Sequence, residues 1–114
     1  MKQIIRNSLL VPYIAGKIDS DGTIMPYNIK YNSGLAKITY GSLLEAKTDL
    51  ELLTSVGYRC SLIKYKDRNA FDLKLSVLSC LKIFPKVLKY IRHREKKNKI
   101  LFCIKAAKTR KLVP

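Results

Sequence analysis

Asp19 and Asp21 stand one residue apart at the end of an apolar stretch, in a chain of 114 residues that contains only 8 acids. Carboxylates are hard oxygen donors, the class of group that a divalent cation takes. The same Asp-Ser-Asp-Gly string is also material for an ordinary turn, because Asp and Gly both favour turns. Just upstream, Leu9, Leu10, Val11, Tyr13 and Ile14 read as a buried helix, yet Ala15-Gly16 falls in its middle. A glycine there costs about 1 kcal/mol relative to alanine. The second chemically dense stretch is basic: "KYIRHREKKNK", from Lys89 to Lys99. Cys60, Cys80 and Cys103 are widely spaced with no CxxC pair, and His93 is the single histidine. Neither a zinc site nor a disulfide framework is expected from them; three buried, reduced thiols are.

Charge sets the partner class. Lys and Arg number 23 against 8 Asp and Glu, a net +15. Such an excess in a folded chain repels itself unless a polyanion is the usual partner, and it points to nucleic acid. Apolar content of 47% and a mean hydropathy of −0.06 argue against both disorder and a membrane protein. No long, strongly amphipathic basic helix with aromatics on one face favours a membrane surface. Arg6, Asn7 and Ser8 interrupt any signal-peptide core, so the reading is intracellular. Length fits a single domain, 1–114, small enough to gain from oligomerisation.

The elements that must position these residues follow from periodicity. A first helix is predicted from somewhere between Ser8 and Pro12 to about Asp19, with Pro12 at its first position. A strand follows from Thr23 to Tyr31, where a bulge near Pro26-Tyr27 reconciles Ile24 with Ile29 and Tyr31. Ser33-Gly34 turns the chain into a second strand, Leu35 to Gly41. Thr48-x-x-Glu51 reads as a capping box for a short helix with Leu50, Leu53 and Val56, stopping at Gly57. Strands at Tyr58–Lys66 and Ala70–Val77 flank a turn at Asp67-Arg68-Asn69, and Phe71, Leu73 and Leu75 alternate with polar neighbours. A helix with Leu81, Phe84, Val87 and Leu88 has Pro85 as a kink or in its first turn. The basic connection leads to a last helix carrying Ile100, Leu101, Ile104 and Ala107. The fold class is α+β: a four-stranded antiparallel sheet covered on one face by helices.

The string Ile14-Ala15-Gly16-Lys17-Ile18-Asp19-Ser20-Asp21-Gly22 resembles the LAGLIDADG motif of the homing endonuclease family, and Gly22-Thr23-Ile24 continues it in the usual way. The αββαββα order after it is also the family's, so the resemblance spans about Ser8 to Ala107. It implies a site-specific double-strand DNA endonuclease of the intron-encoded type. With one motif per chain it implies a homodimer, in which Ala15, Gly16 and Asp19 line the seam between two motif helices. Small residues there allow close backbone approach, and the interface is isologous.

By the same resemblance Asp21 is the metal-binding residue, with the Ser20 carbonyl nearby, for Mg²⁺ (Mn²⁺ or Ca²⁺ also suits the site). Asp19 is structural, accepting hydrogen bonds from backbone. The basic residue near the metal falls on Arg94 or, failing that, Lys96, and His93 is a spacer or phosphate contact. A further polar residue after the second strand stays open among Gly41, Glu45 and Lys47. Lys17 departs from the motif, where an apolar or aromatic residue is usual; it must snorkel or line the DNA side. The sheet is expected to read double-stranded DNA in the major groove. Alternation directs Asn28, Lys30, Asn32, Lys37, Thr39, Lys64, Lys66, Asp72 and Lys74 outward. A non-catalytic nucleic-acid-binding protein on this fold, such as an RNA maturase or a ribosome-associated derivative, is the alternative, with RNA as its partner. Abundant Lys, Ile, Asn and Tyr suggest an AT-rich genome, organellar or prokaryotic.

Overall fold

The structure, a computed structural model, describes residues 7–25 and 36–109. Its elements are α1 (Asn7–Asp21), β1 (Gly22–Ile24), β2 (Ala36–Tyr40), α2 (Leu43–Ser55), β3 (Cys60–Lys64), β4 (Phe71–Leu75), α3 (Val77–Val87), a 3-10 turn (Leu88–Tyr90) and α4 (Arg94–Thr109). The four strands form one antiparallel sheet in the order β1-β2-β4-β3. This is the α+β architecture that the periodicity predicts. The expected bulge and turn, with Asn28, Lys30 and Asn32, lie outside the described residues.

One alternation of the sheet builds the core. Ala36, Ile38 and Tyr40 of β2 and Phe71, Leu73 and Leu75 of β4 are buried, with Cys60 and Leu62 of β3 packed against them. Helices supply the rest: Leu10, Ile14, Ala15 and Ile18 from α1, Ala46 and Leu53 from α2, Cys80, Ile83, Phe84 and Val87 from α3, and Ile100, Cys103 and Ala107 from α4. Leu9 departs from the expected core at 60% exposure, as does Leu101 at 45%. Both sit one position off the buried stripe of their helix, and a 3.6-residue period turns that neighbour toward solvent.

Helix boundaries shift for identifiable reasons. Because α1 begins at Asn7, Pro12 lies inside it rather than at its start. The cap of α2 is Ser42, whose Oγ accepts from the Glu45 N–H. The Ser42-x-x-Glu45 spacing thus starts the helix well before Thr48, whose own hydroxyl donates back to the Leu44 carbonyl. Its end is as expected: Gly57 takes φ +94°, donates to the Thr54 carbonyl, and lets Tyr58 donate to the Leu53 carbonyl. Ser76 caps α3, which places Pro85 near the end of that helix. Finally, α4 starts at Arg94, so much of the basic connection is helical. Cys60, Cys80 and Cys103 are free, Cys60 half-buried and the others buried.

Candidate nucleic-acid interface and motif-helix end

The last turn of α1 is held from two sides. Gly22 follows Asp21 against the preceding turn: a Cβ on it would stand 2.5 Å from the Ile18 Cα and 2.6 Å from its carbonyl oxygen. From the other side, Asp19 Oδ1 accepts the backbone N–H groups of His93 at 2.8 Å and Arg92 at 3.2 Å. Lys96 Nζ then donates to the Asp19 carbonyl at 2.8 Å and the Ile18 carbonyl at 3.0 Å. A cation at a helix C-terminus satisfies carbonyls that have no intrahelical donor and complements the negative end of the dipole. The start of α4 is thereby bound to the end of α1.

Asp21 itself is exposed at the helix end. Ser20 Oγ turns back to the Gly16 carbonyl at 3.0 Å, which directs that hydroxyl into its own helix. Arg94 is exposed in the first turn of α4, the residue after the two N–H groups that Asp19 holds. Arg94 and Lys96 therefore differ: Lys96 is engaged by main-chain carbonyls of α1, whereas Arg94 is exposed. Among the described residues no group of three or more His, Cys, Asp or Glu gathers to hold a metal. One carboxylate from a chain still fits the Mg²⁺ pattern, since that ion keeps waters and is bound through one or two carboxylates plus phosphates.

Along α1, Ala15 is fully buried in its own chain's core, while Gly16 is exposed. Apart from its own helix backbone, a Cβ on Gly16 would meet nothing within 4 Å among the described residues. Among those residues the glycine answers to no steric demand from a neighbouring element.

On the sheet's other alternation, Lys37 pairs in register with Lys74 and Thr23, and Lys74 with Ser61; one step along, Thr39 and Ile63 flank Asp72. Lys37, Thr39, Asp72 and Lys74 all lie on this face, as alternation predicts. Lys64 does not: it pairs with Phe71, on the helix-side alternation, and its ammonium lies 6.0 Å from the Phe71 ring. Lys66 follows the end of β3. The outward positions on β3 are Ser61 and Ile63, because the strand starts at Cys60 and its apolar residues Cys60 and Leu62 take the inner face.

Asp72 is only 5% exposed although it lies on the open face. Thr39 donates to its Oδ1 at 2.8 Å, Tyr65 reaches both oxygens at 3.0 and 3.1 Å, and Lys37 lies 3.6 Å from Oδ2. The carboxylate is covered by its own donors, which orient Lys37 and Tyr65 on that surface.

A second buried acid was not apparent from motifs. Asp49 on α2 is fully buried and accepts the hydroxyls of Tyr13 at 2.7 Å and Tyr40 at 2.6 Å. Burial, then hydrogen bonding to Asp49, raises both phenols well above the ordinary tyrosine range. Lys17 is ion-paired with Glu45 at the edge of this group, its side chain only partly exposed. The available signal was spacing: Ala46, Asp49 and Leu53 share one face of α2, and all three are buried. Of the three residues in contention after the second strand, Gly41 and Lys47 are exposed and Glu45 contacts Lys17 on α1.

No family model and no curated protein matches the sequence. Solved structures do match. One is a crystal structure of the homing endonuclease I-CvuI in complex with the I-CreI target in the presence of Mg, with the DNA not cleaved; it has TM-score 0.58, 17% identity, and covers 83% of this chain and 64% of that one. A second shows I-CvuI in complex with its own target in the presence of Ca, with TM-score 0.59, 17% identity, and coverage of 82% and 64%. The chain thus spans just under two thirds of the length of these neighbours. What it shares with them is the α+β fold, a four-stranded antiparallel sheet with its helices, which is the homing endonuclease-like fold.

Proposed function

We propose that this chain is a site-specific DNA endonuclease that acts as a homodimer with a divalent metal. The observation that carries the reading is the division between the two acids of the motif. Asp19 is consumed by the Arg92 and His93 N–H groups, whereas Asp21, two residues on, is exposed at the helix end, and Arg94, the residue after those N–H groups, is exposed as well. A chain that only bound polyanions would have little use for an acid facing phosphate.

Asp21 and the Ser20 carbonyl would hold the metal, which when bound activates water and stabilises the leaving oxygen. Arg94, held in place through its neighbours by Asp19, neutralises charge on the phosphate. Gly16 supports the dimer: a mid-helix glycine with open space above its Cα suits the close approach of a second backbone. Two copies related by a two-fold axis bring two Asp21 residues together, one for each strand. The open sheet face, with Lys37 and Lys74 in one row and Thr39 and Ile63 in the next, presents cations, a hydroxyl and an apolar group to base edges, while the buried Asp72 carboxylate holds Lys37 in place.

The test is cleavage of a plasmid carrying the native insertion site, with Mg²⁺ and with chelator. Wild type should cut only with Mg²⁺. Asp21→Asn should lose cleavage by orders of magnitude while binding as well or better, because repulsion from phosphate is relieved. Equal cutting by Asp21→Asn would overturn the metal assignment. Tight binding by a wild type that never cuts would establish the binding-only alternative, and selective binding of intron RNA would identify a maturase.

A further inference from the structure

Lys17 stands one helical turn before Asp21, a spacing that puts side chains about 5–6 Å apart at Cβ. The resembled motif fills this position with an apolar or aromatic residue; here it is an ammonium with a complete set of neighbours. Glu45 ion-pairs it, Asp49 Oδ2 lies 4.0 Å away, and the rings of Tyr40 and Tyr13 lie at 5.4 and 5.8 Å. The Lys17 side chain is 20% exposed and that of Glu45 52%. Held by carboxylates and two aromatic faces, the charge is fixed in place rather than carried on a mobile stem. The Glu45 hydrogen bond foremost, opposed by desolvation and aided by the charges of Asp49, Glu45 and Asp21, raises the Lys17 amine above its ordinary value.

We propose that Lys17 and Glu45 form a charge-setting pair for the Asp21 site, Lys17 as a fixed cation that moderates the pull of Asp21 on a divalent ion and favours phosphate, Glu45 as its counterweight. They are positioning residues and touch no reacting atom. The proposal rests on the reading of Asp21 as the metal carboxylate. Its physical content is a sign. Removing a positive charge near Asp21 strengthens cation binding and weakens DNA binding; removing a negative charge does the reverse. A mere structural brace between α1 and α2 would instead be loosened by either change, with both kinds of binding weakened together.

The experiment compares wild type, Lys17→Met, Lys17→Arg, Glu45→Gln and Asp21→Asn. DNA affinity is measured in chelator on a duplex carrying the native insertion site. Ca²⁺, which takes the same oxygen ligands, is titrated by calorimetry into each protein–DNA complex. Lys17→Met should bind Ca²⁺ more tightly and DNA more weakly, each on the order of fivefold. Glu45→Gln should shift both in the opposite sense by a similar factor. Lys17→Arg, which keeps the charge, should match wild type. If Lys17→Met does not fold, Glu45→Gln, altered at a half-exposed carboxylate, still decides by itself. Shifts of the same sign in both variants, or none, overturn the charge-setting pair. Unchanged Ca²⁺ binding by Asp21→Asn overturns the underlying metal reading instead.

Discussion

Gly22 lies so close against Ile18 that a Cβ on it would come within 2.5 Å of the Ile18 Cα. The obstacle is backbone, which cannot swing aside as a flexible side chain can. Gly22→Ala should therefore displace the end of α1 or the start of β1 and cost about 3 kcal/mol or more. Urea denaturation measures the loss. A stability within about 0.5 kcal/mol of wild type would mean that the α1–β1 junction accommodates the methyl group.

Gly16 should behave in the opposite way. With no described residue of another element within 4 Å of its Cβ position, alanine there removes the entropic cost of a helical glycine. Gly16→Ala should stabilise the monomer by about 0.5–1 kcal/mol while weakening the dimer. Gly16→Leu should yield monomer or insoluble protein. Sedimentation velocity separates the two effects; an unaltered dimer for Gly16→Leu, or a wild type monomeric on DNA, would count against the seam.

The Asp49 group makes stability fall at high pH. Tyr13, Tyr40 and Lys17 all have folded values above their ordinary ones, and burial pushes Cys60 up to about 11 and Cys80 up to about 12. The folded state therefore holds protons that the unfolded chain releases first. The associated stability is fully present below the ordinary thiol value of 9.0 and is lost progressively as pH rises toward the folded values. Denaturation at pH 7, 9 and 10.5 should show this decline, and Tyr40→Phe should lessen its slope. The same variant should cost about 1–2 kcal/mol at neutral pH, because Asp49 loses a donor.

Salt dependence reports the open sheet face. If Lys37 and Lys74 meet phosphates, each replaced by Ala should reduce the slope of log K against log salt by about 0.9. If either meets a base edge instead, preference changes at one position of each half-site. Asp72→Asn should alter the same preference as Lys37→Ala, since the carboxylate lies 3.6 Å from the Lys37 ammonium and orients it. A flat salt response from wild type would place the basic charge in some other service.

Much of this protein was legible along the chain. Alternation of Phe71, Leu73 and Leu75 sufficed for β4, because an inner face must be apolar at every second residue. The Asp19-Ser20-Asp21-Gly22 string marked the end of α1, and glycine at 57 marked the end of α2, since local backbone geometry there needs few distant partners. Register was different. Whether Lys64 or Ile63 faces outward depends on which β4 residue each opposes, and a one-residue shift reverses every side chain. Tertiary structure alone also parted Lys96 from Arg94 and named the Arg92 and His93 N–H groups as the donors to Asp19, through bonds spanning more than seventy residues. The spacing of Asp49 with Ala46 and Leu53 puts it on the inner face of α2, but its donors, Tyr13 and Tyr40, come from a separate helix and strand. A buried charge is settled by who arrives to satisfy it, and no local pattern records that arrival.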